Sequence, residues 1–151
     1  MKIVGVDPGT KNLGYAVFND DKELITSGVI TTGERSYVEL FLRFSLLLYY
    51  HHPRVVVVEG AFQRSKFANP HIEAIALIKT VTEAMNIDIY TYAPSTWKKI
   101  LLSNGWAKKE EAREYVKSLG YEVKSQHEAD AICLALTYLK EEKENVCYGR
   151  R

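Results

Sequence analysis

Long hydrophobic runs are missing from this sequence. No apolar stretch reaches the roughly 20 residues that a membrane-spanning helix needs. The longest candidate, Val38–Tyr50, is interrupted by Glu39 and Arg43, so no membrane association is expected. The apolar start Met1–Asp7 is too short for a signal-peptide core and reads as a strand. Cysteine is scarce as well. Cys133 and Cys147 form no CxxC pair and have no clustered histidine nearby, which points away from a disulfide framework and towards a reducing, cytoplasmic compartment. Net charge is only +1, so the overall balance does not announce a nucleic-acid binder. There are no repeats, low-complexity tracts or linkers, and no P-loop lysine motif, HExxH or Ser/His/Asp set to suggest other chemistries.

What remains is an ordinary globular composition. With 151 residues, 46% of them hydrophobic and 26% charged, residues 1–151 suit one domain with a core that needs no disulfide or metal. Charge is uneven, however. Between Ser95 and Ser125 stand seven Lys or Arg against four Glu, so acids elsewhere must offset them and some should converge.

Patterning predicts strands over Lys2–Asp7, Gly14–Asn19 and Leu24–Ile30, pairing as an antiparallel meander with a turn at Asn19-Asp20-Asp21. Ser36 should cap a helix over Tyr37–His52, stopped at Pro53. Val55–Val58 is a run of four valines, the mark of a strand buried on both faces near the sheet centre. Asn69-Pro70 should open a helix reaching Met85. Ile87–Tyr92 is a fifth strand. Ser95 should cap a short helix ending at Asn104-Gly105, followed by helices over Lys108–Leu119 and Gln126–Glu142. The expected fold is therefore α/β: a five-stranded mixed sheet flanked by helices on both faces, in the order of a ribonuclease H-like domain.

Three acidic positions stand out. Asp7 ends the first strand before Pro8-Gly9; it reads either as a turn residue capping its own backbone or as a site carboxylate. Glu59 follows the valine run. If that strand is parallel to the first, the two carboxylates end side by side, at the strand ends where α/β sheets place their sites. His127 and Asp130 are three residues apart and share one face of the last helix, with Glu128 directed elsewhere. Ala129, Ala131 and Ala135 allow that helix to approach the sheet. Carboxylates so placed would make a hard, oxygen-rich site suited to magnesium or manganese, and two such ions roughly 4 Å apart can drive phosphodiester hydrolysis.

Five segments together resemble the RuvC family of Holliday junction resolvases along nearly the whole chain. They are Val6-Asp7-Pro8-Gly9 with Gly14-Tyr15-Ala16, Val58-Glu59-Gly60-Ala61-Phe62, Tyr92-Ala93-Pro94-Ser95 with Lys98-Lys99, Ala107-Lys108-Lys109-Glu110, and His127-Glu128-Ala129-Asp130-Ala131. The resemblance implies a homodimer that resolves four-way DNA junctions by paired symmetric nicks, with two Mg2+ per site and Mn2+ able to substitute. Asp7 would bridge the ions, Glu59 would hold one, and Asp130 with His127 the other. Lys98, Lys99, Lys108 and Lys109 would lie along the DNA. Lys108 also counts as a catalytic candidate, although the match leaves open which lysine of each pair approaches the scissile phosphate. Phe62 would sit near the junction's bases or serve as a core residue. Arg64 and Lys66, in a basic segment with no structural signal, read as a solvated loop or a DNA contact. His127 stands where many members carry Asp, which tilts the expected metal preference towards manganese. The sequence does not address a helicase partner. Two alternatives stay open: a related nuclease acting on other branched DNA or RNA, and an actin-like ATP-binding domain suggested by the loop Asp7–Gly14. The helix from Pro70 also carries two apolar stripes. One, with Ile75 and Ile78, is expected to face the sheet. The other, Ala74, Leu77, Val81 and Ala84, is expected at a dimer contact.

Overall fold

The valine run occupies the position its composition demands. In a computed structural model, which describes residues 1–34, 36–60 and 70–148, β1 (Lys2–Asp7), β2 (Asn12–Asn19), β3 (Leu24–Thr31), β4 (Val55–Glu59) and β5 (Asp88–Tyr92) form one sheet in the order β3-β2-β1-β4-β5. β1, β2 and β3 pair antiparallel as the expected meander. β4 lies parallel to both β1 and β5, with Ile3 opposite Val55 and Val6 opposite Val58. Parallel pairing on both sides requires crossovers, and these are supplied by α1 (Tyr37–His51) and α2 (Pro70–Ala84). α3 (Pro94–Leu102), α4 (Lys109–Ser118) and α5 (Gln126–Tyr148) follow.

Side chains alternate across a strand, so each strand feeds two cores. Ile3, Val55 and Val57 pack with Trp97, Ala112, Val116 and the buried stripe of α5. Val4, Val6, Val56 and Val58 pack with Leu40, Phe44 and Leu48 of α1 and Ile75, Ile78 and Val81 of α2. Each fully buried valine contributes about 1.5–3 kcal/mol relative to an exposed one. The expected helices on both faces are present. Among the described residues, none is long and apolar enough to cross a membrane.

Several local expectations shift. Ser36 caps α1 as foreseen, its Oγ accepting from the Glu39 amide. Ser95 does not cap α3. The cap position is Ala93, with Pro94 in the first turn, because proline's missing N–H is tolerated only there. Lys108 caps α4 instead of belonging to it, and α5 runs six residues past the expected Glu142. Asn69, the expected cap of α2, lies outside the described residues.

The second stripe of α2 divides. Ala74 and Val81 are buried within the chain, where α1 lies alongside α2, Leu77 is half-buried against the same core, and Ala84 is exposed. A run of exposed apolar side chains lies on α1: Val38, Leu42, Leu46, Tyr49 and Tyr50 are all more than half exposed, and spacings of three to four residues put most of them on one face.

Candidate metal-binding and nucleic-acid site

Alternation also decides where the strand-end acids point. Ile3, Gly5 and Asp7 alternate towards the face covered by α5, and so do Val55, Val57 and Glu59. The parallel register that sets Val6 opposite Val58 carries Asp7 alongside Glu59 at the next step. α5 then lies almost on the sheet backbone. A Cβ on Gly5 would meet the Ala131 carbonyl oxygen at 2.1 Å, and one on Gly14 would meet that of His127 at 2.1 Å. Glycine at these two positions, with Ala131 and Ala135 opposite, lets the first turn of α5 bring His127 and Asp130 down to the strand ends. The alanines foretold this approach; the two glycines were not singled out.

That first turn is anchored by Glu128. Its carboxylate accepts from Ser27 Oγ (2.6 Å) and from the Lys124 amide (2.9 Å), while Ser125 Oγ accepts from the Glu128 amide (3.1 Å). Glu128 thus faces away from the acids, as expected. The Ser-x-x-Glu pattern at Ser125–Glu128 is a capping signature that could have located the turn.

Within the cluster, His127 Nδ1 donates to Asp7 Oδ2 at 2.7 Å. Gln126 Nε2 donates to Asp130 Oδ1 at 2.8 Å, and Trp97 Nε1 donates to Glu59 Oε2 at 2.6 Å. His71 Nε2 stands 4.0 Å from Glu59 Oε1. Trp97, His71 and Gln126 were absent from the sequence reading. Gln126 sits one turn before Asp130, a spacing that could have found it; Trp97 and His71 reach the site only through folding.

Burial, reinforced by the charges of Asp7 and Asp130, pushes the Glu59 carboxyl up to about 7, against the pull of the Trp97 hydrogen bond and of Lys98. Burial and the charge of Asp7 push Asp130 up to about 6, opposed by Gln126, Lys98 and Lys109. The Asp7 carboxylate raises His127 above the usual imidazole value despite partial burial. Glu59 and Asp130 are therefore costly to ionise side by side, which is the electrostatic condition a divalent cation relieves. The donor set, three carboxylates and one imidazole, suits magnesium or manganese. In their present rotamers the described His, Cys, Asp and Glu side chains do not converge in any group of three able to hold an ion. Asp7 Oδ2 and His127 Nδ1 are engaged with each other instead.

The basic residues divide. Lys98 bears on both Glu59 and Asp130, and Lys109 bears on His127 and Asp130. Lys99 and Lys108 are exposed, and neither is among the larger influences on these groups. Phe62, Arg64 and Lys66 lie outside the described residues. Next to the cluster, a groove of about 340 Å³ is lined by Pro8–Asn12, Pro70, His71 and His127. A larger cleft of about 780 Å³, between Tyr90, Tyr92, Tyr138 and the end of α5, contains none of the four candidate ligands.

Comparison with known proteins accords with this arrangement. The family model described as crossover junction endodeoxyribonuclease RuvC matches residues 3–138. A crossover junction endodeoxyribonuclease RuvC from Prochlorococcus marinus strain MIT 9312 is 33% identical, covering 96% of this chain and all of the relative. One from Sulfurovum sp. strain NBC37-1 is 32% identical, covering 95% of this chain and 98% of the relative. The RuvC structure from Thermus thermophilus superposes with a TM-score of 0.80 at 25% identity, over 96% of this chain and 97% of that one. The fold is therefore ribonuclease H-like, and the loop Asp7–Gly14 falls within the nuclease family's match, not an actin-like phosphate loop. The chain belongs to the RuvC family of crossover junction endodeoxyribonucleases.

Proposed function

We propose that this chain is a structure-selective DNA endonuclease that resolves four-way junctions by paired symmetric nicks, using Asp7, Glu59, Asp130 and His127 to hold two Mg2+ ions, with Mn2+ able to substitute. Family membership supports the activity. The observation that carries the site is the meeting of Asp7 and Glu59 at adjacent parallel strand ends beneath the first turn of α5, where, among the described residues, no arginine or lysine lies within ion-pair distance of the carboxyls. Divalent cations bound there supply the Lewis acidity that phosphodiester hydrolysis needs. The chain's own contribution is to orient the carboxylates through Trp97, Gln126 and His127, and to limit water through the close contact of α5 with the sheet. Lys98 and Lys109 flank the cluster and are placed to meet phosphates. Lys99 and Lys108 extend the basic track, and Phe62, Arg64 and Lys66 remain proposed DNA contacts.

Paired nicking requires two sites related by symmetry, and a homodimer provides them. The exposed α1 face of Val38, Leu42, Leu46 and Tyr49 offers a second copy of the chain more apolar surface than the second stripe of α2, of which Ala74 and Val81 are buried and Leu77 half-buried. Leu46→Glu should give a folded monomer, because burying a carboxylate at that contact is costly. Sedimentation of the parent as a clean 17.2 kDa monomer at micromolar concentration would sink the dimer. The activity itself is tested by offering synthetic four-way, three-way, duplex and RNA–DNA substrates side by side. Preferential paired nicking of the four-way substrate is expected; equal cleavage of all four would favour a more general nuclease.

A further inference from the structure

Trp97 is a large side chain at zero exposure, packed among Val57, Tyr92, Ile132 and Leu136 in the core beneath α5. An indole has one polar group, an N–H that can only donate. Here that N–H reaches Glu59 Oε2 at 2.6 Å. The contact couples a part of the molecule that cannot move to a part that must bind. A tightly packed indole has little room to move, so the hydrogen bond fixes where Oε2 lies and restricts how the carboxylate can turn. Oε1 lies on the side of His71, whose Nε2 is 4.0 Å away and which itself lines the groove. The same ring carries Lys98 Nζ 5.6 Å from its centroid, so one buried side chain sets the position of both an anion and the neighbouring cation.

We infer that Trp97 is a positioning residue for the cation site: its N–H holds one oxygen of Glu59 so that the carboxylate presents the other, Oε1, to a single divalent ion. The inference rests on the proposed role of Glu59 as a cation ligand. Hydrogen bonds from outside the ligand set orient first-rank ligands and, when removed, typically cost about 10–100-fold in metal affinity. Trp97→Phe keeps an aromatic ring and deletes the donor. The cation concentration giving half-maximal nicking should therefore rise by roughly tenfold or more. Four-way-junction affinity in EDTA should stay at the parent's value, and rate should recover at high cation. A purely structural tryptophan would instead lower the melting temperature and leave the cation midpoint alone. A folded Trp97→Phe protein with the parent's midpoint overturns the inference.

A second measurement needs no change at Trp97. The chain has two tryptophans, and Trp106 is 92% exposed, so Trp106→Phe leaves Trp97 as the sole indole emitter without touching the core. Titrating that protein with Mg2+ or Mn2+ alone, without DNA, should change the emission saturably, and adding Glu59→Gln should abolish the change. Emission that stays flat overturns the inference whatever the nuclease assay shows, as does a response that survives Glu59→Gln. Should Trp97→Phe fail to fold, this titration decides alone. A saturable, Glu59-dependent response in a protein that nicks no DNA would support Trp97 and count against the proposed activity, so the two readings fail separately.

Discussion

Helix α5 has acids gathered at both of its ends, and the protein treats them in opposite ways. At the C-terminal end, Arg54 donates to Glu142 and Asp20, with Tyr138 stacked 5.6 Å from its guanidinium. Asp20 is held below the ordinary carboxylate range by the terminal ammonium of Met1 and by Arg54, and Arg54 is held more firmly protonated by Glu142. At the N-terminal end, Asp7, Glu59 and Asp130 are more buried, no guanidinium of the described residues pairs with them, and Glu59 and Asp130 are pushed up to about 7 and about 6. The first arrangement serves folding. The second works against folding until something positive arrives, as the proposed cation site would require.

The comparison breaks first at Asp7. In Asp7→Asn, nicking should fall by about a thousandfold, since metal-ion catalysis supplies several kcal/mol and each ~1.4 kcal/mol is tenfold in rate. Junction binding should persist, because affinity comes mainly from lysines meeting phosphates. Substantial cleavage by the variant in the same cation would remove Asp7 from the site.

Stability against pH sharpens the contrast. Glu59 and Asp130 have folded values above their unfolded ones, so between about pH 4 and 7 the folded state binds more protons and stability falls as pH rises. His127, also raised, stabilises most below its unfolded value and loses that contribution as pH climbs through the folded one, which extends the decline. Asp20 acts oppositely: its contribution is present above its unfolded value and disappears as pH falls through its lowered folded one. Cation-free protein should lose a few kcal/mol from pH 4 to 8. Saturating Mg2+ should restore about 2.7 kcal/mol at a hundred times its dissociation constant. Melting curves with EDTA and with Mg2+ that run parallel through this range would contradict the uncompensated cluster.

Arg54→Ala attacks the other end. It should lower stability by about 1–2 kcal/mol, a modest loss because Asp20 and Glu142 are exposed enough to regain water. Nicking per folded molecule should be unaffected. An unchanged melting temperature would show the ion pairs to be ornamental.

His127→Asp should shift cation preference from manganese towards magnesium, since an all-oxygen set matches the harder ion. An unchanged ratio of magnesium- to manganese-supported rates would reduce His127 to a partner of Asp7. The smallest effect concerns the start of α4. Replacing Lys108 and Lys109 together with Ala should lower the salt slope of DNA binding by roughly one to two units, while Lys117→Ala leaves it alone. Of the pair, Lys109 should matter more for nicking, because its charge reaches Asp130. Equal salt slopes for the double variant and the parent would make both lysines solvated surface.

Much of this molecule is legible in its sequence. The valines of β4 could only be a central strand, the Ser36 cap announced α1, and Asp7 and Glu59 at strand ends suggested their meeting. The α2 stripe was read only in part, because an apolar face at helical spacing looks the same whether a neighbouring helix of the same chain or a second copy covers it; α1 alongside α2 buries Ala74 and Val81 and leaves Ala84 exposed. Ser95 misled because a good capping residue just after proline cannot displace proline from the first turn.

Period-two alternation, run lengths and breakers are local, so the sequence by itself determined the strands, most helix limits and the side of the sheet on which each strand-end acid emerges. Which groups then touch depends on residues far apart in the chain. The bond from Trp97 to Glu59, the pairing of His127 with Asp7 and the approach of Gly5 and Gly14 to α5 each span dozens of positions, with the exact contact set by how closely a helix can lie on a sheet. Only the tertiary structure decided these, because packing and desolvation act on neighbours in space and leave no periodic trace along the chain.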